Sequence, residues 1–325
     1  MINTVKIVYG GFFVKYRGHT LETVEEILHY LENEGVQTID TAEIYGESEE
    51  FLGMAGAATR FTIDTKFSGG LSQLEPTEEK TVKSCEESLK KLKTSSVDVF
   101  YIHAPCRGTP VKNILSGINT LYKTGKFKRF GLSNFNADEV EEVIGVAREN
   151  NFVIPSVYQG NYNAISRRTE TELMPVLRKW NIAFYAYSPI AGGFLAKAPE
   201  QLLAGGKGRW DPCGTYTAKM YNALYNKPCM LKALADFVQL SKDTGISQAE
   251  LAYRWVAHNS QLRPELGDGI IIGARFGPQL EEALNGVKKG RLSAEVAERI
   301  DALWEGVKDE SPLDNFEGFI SNYLT

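Results

Sequence analysis

The amino-acid sequence predicts an α/β protein, a closed (β/α)8 barrel with a long loop after its seventh strand. Three observations point there. Eight short β-rich runs recur along the chain, an amphipathic helical stripe lies between most of them, and no Pro/Gly/Ser-rich linker divides the 325 residues. Strands that alternate with helices imply parallel strands joined by crossovers. Eight such units in a chain of this length imply closure into one barrel, spanning residues 1–325 as one domain.

The strands are expected at residues 5–10 (VKIVYG), 37–40 (QTID), 61–66 (FTIDTK) and 97–103 (VDVFYIH). Four more follow at 128–133 (KRFGLS), 154–159 (IPSVYQ), 182–188 (IAFYAYS) and 269–273 (GIIIG). Between them, Leu21, Val24, Leu28 and Leu31 recur at helical spacing, as do Val82, Cys85, Leu89 and Leu92. The same holds for Val140, Val143, Ile144 and Ala147, and for Leu173, Val176, Leu177 and Trp180. Each set makes one apolar stripe to lay on a sheet. The charge-dense run at 78–93 becomes, on a helix, a solvated face with opposite charges three or four residues apart. Residues 191–227, which include GGKGRWDPCGTY, are too long for an ordinary loop between strand and helix. The segment from Ser311 onward shows no pattern that places it.

Composition narrows the class of function. The chain is 43% hydrophobic and 24% charged, with a net charge of −5, which argues against nucleic acid as the main partner. Cys85, Cys106, Cys213 and Cys229 have neither metal-ligand nor disulfide-framework spacing. His19, His29 and His258 likewise lack metal-ligand spacing, and no metal site is expected. The first residues, MINTVKIVYGG, lack the basic and apolar regions of a signal peptide. No run of about 18 apolar residues is present, so no membrane span is expected. These features fit a cytoplasmic protein.

In such a barrel, polar residues at the C-terminal strand ends read as catalytic. Asp40 and Tyr45 follow strand two, Lys66 ends strand three and His103 ends strand four. Ser133 and Asn134 follow strand five, Gln159 strand six, and Tyr187 and Ser188 strand seven. A lysine ending an apolar strand is costly to bury unless paired, and Asp40 is the natural partner. Their ammonium is expected to lower the pKa of the Tyr45 phenol, which would then exchange a proton with an alcohol or alkoxide. His103 would orient the substrate oxygen. Taken singly, each residue also reads as an ion pair, a packed ring or a core histidine. Four of them on three successive strand ends favour the catalytic reading.

These motifs resemble the aldo-keto reductases, NADPH-dependent barrel enzymes that reduce aldehydes and ketones, over essentially the whole chain. The family's tetrad matches Asp40 and Tyr45 in DTAEIYG, Lys66 in DTK and His103 in YIHAP. By resemblance, Ser133 and Asn134 of GLSNF and Gln159 of VYQG hold the nicotinamide carboxamide, and the Tyr187 ring stacks on the nicotinamide. Ser188, Pro189, Ile190, Gly192 and Gly193 of SPIAGG would also contact the cofactor. YQGNYNAISRRTETELMPVLRKW, YSPIAGGFLAK, GRW and AKMYNALY are most similar to the aflatoxin-aldehyde and succinic-semialdehyde reductase branch. The implied reaction is hydride transfer to the carbonyl carbon, with Tyr45 protonating the oxygen. The branch often forms homodimers; no residue here marks an interface.

Two departures bear on cofactor and substrate. The cofactor phosphates should lie near strand eight and the next helix, here IIGARFGPQLEEALN, with Gly273, Arg275 and Gln279 as contacts. The branch usually has Ser-Ser where this chain has Arg275 and Phe276, and an Asn that matches Ala283. Losing the Asn would weaken an adenine contact. The Arg275 guanidinium would fork onto the 2′-phosphate, with Arg209 matching another phosphate-side arginine, so NADPH/NADP+ is the expected cofactor. Branch members that take carboxylate-bearing aldehydes have an Arg three residues after the tyrosine of the long loop. Here that tyrosine is Tyr221, and Leu224 stands where the Arg would be. They also carry an Arg near the C-terminus, whereas this chain reads FISNYLT. An apolar or aromatic carbonyl is therefore expected, lined by Phe12, Trp210, Tyr221, Leu224 and Phe319. The competing class is a cofactor-binding regulatory module of the same fold with little turnover. The intact Tyr–Lys pair favours the enzyme.

Overall fold

The computed structural model of the chain describes residues 4–14, 19–72, 76–205, 210–211 and 213–316. Eight parallel strands close into a barrel in sequence order. They are β1 Lys6–Gly10, β2 Thr38–Asp40, β3 Thr62–Phe67, β4 Val97–Ile102, β5 Phe127–Ser133, β6 Val157–Asn161, β7 Ala183–Tyr187 and β8 Gly269–Ile272. β1 pairs with both β2 and β8, so among these strands no edge is left open. The expected strands are all present, displaced by a few residues at some ends. β6 starts three residues later than expected and runs on to Asn161. Pro155 has no N–H for a ladder, so regular pairing starts beyond it.

Helices wrap the barrel as the apolar stripes predict. In Leu21–Asn33, Val24, Ile27, Leu28 and Leu31 are fully buried, and Thr20 caps the first turn by accepting the Thr23 N–H. In Ala137–Glu149, the Asn136 and Glu139 side chains form a reciprocal capping box. The charge-dense helix Glu78–Lys91 buries Thr81, Cys85, Ser88 and Leu89, while Val82 of the expected stripe is only half-buried. The small residue faces inward for a reason: Gly117 of helix Val111–Lys123 lies so close that a Cβ there would stand 2.9 Å from the Thr81 Cβ.

Among its described residues, the stretch after β7 carries two helices, Pro199–Leu203 and Tyr216–Tyr225. The Tyr225 hydroxyl anchors the second of them. It meets the amide of Asn161 at 3.1 Å and the Ser166 hydroxyl at 3.0 Å, inside the protein. No helix among the described residues is long and apolar enough to cross a membrane.

Candidate active site

Alternation along each strand sends every second side chain into the barrel. Asp40 stands in register with Asp64, and Lys66 with Tyr101, so Asp40, Asp64, Lys66 and Tyr101 all face the interior. Lys66 is fully buried and Asp40 nearly so. The Lys66 ammonium donates to Asp40 Oδ2 at 2.5 Å and to the Thr41 carbonyl at 2.7 Å. The other carboxylate oxygen, Asp40 Oδ1, accepts the side-chain amide of Gln159 at 2.6 Å. Burial pushes the Asp40 carboxyl up and the Lys66 ammonium down from their usual values, and each charge opposes the other's shift.

Tyr45 leans over this pair. Its ring centroid is 5.0 Å from Lys66 Nζ, and its ring meets those of His103 and Phe12 edge to face at 5.7 and 5.3 Å. The tetrad expected from sequence is therefore brought together, with one correction. The phenol was expected to be acidified by Lys66, but it is held well above its usual value. Loss of solvent is the main cause, and the negative charge of Asp40 acts in the same direction. His103 sits one residue beyond β4, tied by its backbone N–H to the Phe67 carbonyl. Burial, then the nearby Lys66 charge, holds its imidazole well below the usual value, so it is neutral at pH 7. Its Nδ1 is buried and has no hydrogen-bond partner among the described residues. Cys106, three residues on, is half-buried, and burial pushes its thiol up to about 11, away from reactivity.

The residues expected at a nicotinamide line the same rim. The Asn134 side chain, on a backbone with φ 62°, donates to the His103 carbonyl at 2.8 Å and to Ser133 Oγ at 3.1 Å. Its oxygen accepts the Tyr187 hydroxyl at 2.7 Å, and that hydroxyl oxygen accepts the backbone N–H of Asn315 at 3.3 Å. Sequence reasoning did not place this segment, of which residues 311–316 are described; Asn315 reaches the rim through Tyr187. Nor did it see that Gln159 joins the Asp40–Lys66 pair. Period-two alternation could have shown Gln159 facing inward, whereas nothing periodic marks Asn315.

Ser188 follows β7 with φ 54°, and its hydroxyl lies 3.1 Å from that of Tyr221. Pro189 is buried and Ile190 half-buried; Gly192 and Gly193 take left-handed backbone. Gly273, Arg275 and Gln279 are exposed between β8 and the helix Pro278–Lys288. Ala283, where an adenine contact was expected to be weakened, faces the core and is fully buried. Of the expected substrate residues, Phe12 is 42% exposed beside Tyr45. Trp210, Tyr221 and Leu224 are buried, and the Trp210 ring packs against those of Tyr221 and Phe194. Arg209 and Phe319 lie outside the described residues.

Comparison with known proteins agrees with this geometry. The model of the aldo/keto reductase family matches residues 6–305. The chain is 41% identical over 295 residues to the oxidoreductase sirO of Leptosphaeria maculans, covering 90% of this chain and 89% of that protein. It is 36% identical to aldo-keto reductase family 7 member A3 of Homo sapiens, covering 86% and 87% of the two chains. Human aflatoxin B1 aldehyde reductase member 2 is also 36% identical, with 86% and 80% covered. This family assignment supports an oxidoreductase that works on carbonyl groups. The chain belongs to the aldo/keto reductase family.

Proposed function

We propose that the protein reduces an aldehyde or ketone to the alcohol with NADPH, using Tyr45 as the acid. The observation that carries this reading is the cluster of Tyr45, Lys66, Asp40 and His103 around one point at the mouth of the barrel. Bound nicotinamide supplies the hydride, so the protein has to place the carbonyl and provide a proton. Tyr45 is suited to the second task because its phenol keeps its proton at neutral pH. A hydride-reduced carbonyl oxygen is a far stronger base than a phenolate and takes that proton. Lys66, its ammonium held by Asp40 and the Thr41 carbonyl, stabilises the phenolate left behind. His103, neutral, offers one N–H to the carbonyl oxygen.

The side chains present fit the cofactor. Gln159 donates one amide hydrogen to Asp40, and its carbonyl and second hydrogen suit a carboxamide. Ser133 Oγ accepts from Asn134 and has its own hydrogen to give. The Tyr187 ring is half-buried at the same rim, fixed through its hydroxyl. At the phosphate end, Gly277 brings no side-chain cap to the helix Pro278–Lys288, and the exposed Arg275 is two residues before it. Arg275 is the basis for NADPH over NADH.

For substrate, an apolar or aromatic carbonyl suits the Phe12 and Tyr221 rings, and Leu224 offers no charge to an anionic group. The test is a pair of measurements. Steady-state kinetics should give a much higher kcat/KM for an aromatic aldehyde than for succinic semialdehyde. Calorimetric titration should show that Arg275→Ala weakens NADPH binding more than NADH binding. Efficient turnover of succinic semialdehyde overturns the substrate assignment, and equal loss for both cofactors overturns the role of Arg275.

A further inference from the structure

We propose that Asp64 is a further positioning residue of this site, a buried carboxyl beneath Lys66 whose charge state sets how firmly Lys66 and Tyr45 hold their protons. The inference rests on the role proposed for Tyr45. Asp64 lies two residues before Lys66 on β3, so the two side chains share the inner face of one strand, about 6–7 Å apart. It stands in register with Asp40 on β2 and is fully buried. The register between β3 and β4 runs from Thr65 and Phe100 upward. Below it, the Val99 N–H donates to Asp64 Oδ1 at 3.1 Å. Asp64 Oδ2 is buried with no hydrogen-bond partner among the described residues.

The charged groups around Asp64 come from every side of the barrel. They are Lys6 on β1, Asp40 on β2, Lys66 above it on β3, Asp98 and the titratable Tyr101 on β4, and Arg129 on β5. The two lower cations are engaged elsewhere. Lys6 Nζ lies 3.4 Å and Arg129 Nη2 3.2 Å from the Tyr185 hydroxyl, and Arg129 also pairs with Asp98 at 2.6 Å. Asp64 therefore has two carboxylates nearby and, among the described residues, no bonded counter-ion. Burial pushes its carboxyl up to about 7.

Lys66 thus feels two carboxylates, Asp40 bonded to it and Asp64 at a distance. When Asp64 is neutral, Lys66 answers to Asp40 alone. When Asp64 ionises, a second negative charge favours the ammonium form of Lys66 and also opposes loss of the Tyr45 proton. The ionised carboxylate keeps the proton-donating form of the site populated to higher pH. Removing it should let that form fail earlier.

The test follows kcat/KM for carbonyl reduction against pH in wild type, Asp64→Asn and Asp64→Ser, both of which keep an acceptor for the Val99 N–H. The alkaline limb should move to lower pH by about one unit in both variants. KM at about pH 6, where wild-type Asp64 is already neutral, should not change. Stability supplies a readout independent of turnover. A carboxyl raised from 3.8 to about 7 contributes stability that is fully present below 3.8 and is lost as pH rises through 7. The Tm of Asp64→Asn relative to wild type should therefore climb between about pH 4 and pH 7 and level off above that. If either variant folds and its limb superimposes on wild type, the proposal is wrong. If neither folds, isotope-edited infrared spectra of wild type must show a protonated aspartate band that titrates near neutral pH, and its absence also overturns the idea. Tyr45→Phe separates the two claims. Retained turnover in that variant removes the reading of Tyr45, whereas a dead Tyr45→Phe beside unshifted Asp64 variants removes only the role of Asp64.

Discussion

Gln159 donates its side-chain amide to Asp40 at 2.6 Å, joining β6 to β2 across the barrel mouth from 119 residues away in the chain. With Lys66 on Oδ2 and Gln159 on Oδ1, both oxygens of the buried carboxylate are satisfied. One residue thereby links the proton-handling pair to the place where the nicotinamide is proposed to lie.

Gln159→Met should test that link, because it keeps the volume and removes the hydrogen bond. We expect kcat/KM to fall about 10- to 100-fold, the worth of one hydrogen bond to a charged group. The carbonyl KM and kcat should both suffer if Gln159 serves cofactor and Asp40 together. A variant with normal kinetics and only weaker NADPH binding would confine Gln159 to the cofactor.

The Asp40–Lys66 pair is buried on both sides, so removing one partner strands a charge. Lys66→Met should cost about 3–5 kcal/mol of stability in denaturant unfolding. Adding Asp40→Asn should restore much of that loss while activity stays low. If the double variant is less stable than Lys66→Met, the pair is not the source of the cost.

Gly192 marks a constraint in the loop after β7. Its φ is +65°, and a Cβ there would lie 2.2 Å from the Tyr221 ring. Gly192→Ala should cost about 1–2 kcal/mol for the left-handed backbone alone. It should also displace Tyr221, raising KM for the carbonyl more than it lowers kcat. Unchanged KM would remove Tyr221 from the substrate pocket.

Much of this was legible in the sequence because barrels put a simple signal at strand ends. Asp40, Lys66, His103, Ser133 and Gln159 each close a short apolar run, and the structure finds all five buried at one rim. What was not legible depends on burial and on contacts between distant segments. The Tyr45 shift runs opposite to the expected direction because desolvation, and then Asp40, raise it, an effect of burial that no spacing encodes. The burial of Trp210, Tyr221 and Leu224 together within the loop after β7 likewise follows from packing rather than from spacing. The contact of Asn315 with Tyr187 joins residues 128 apart, the first of them in an aperiodic segment. Asp64 sat in plain view in DTK, but only closure of the barrel shows that, among the described residues, it has no bonded counter-ion.

The central claim is that Tyr45 delivers the proton in an NADPH-dependent carbonyl reduction. The most direct measurement is NADPH oxidation by purified wild-type protein and by Tyr45→Phe, against a panel of aromatic and aliphatic aldehydes and ketones, with NADPH binding followed in parallel. The account predicts turnover of part of the panel by wild type, with a fall of about 100-fold or more in Tyr45→Phe while NADPH binding is kept. Turnover that survives in Tyr45→Phe, or tight NADPH binding by a wild-type protein that turns over nothing, would contradict it.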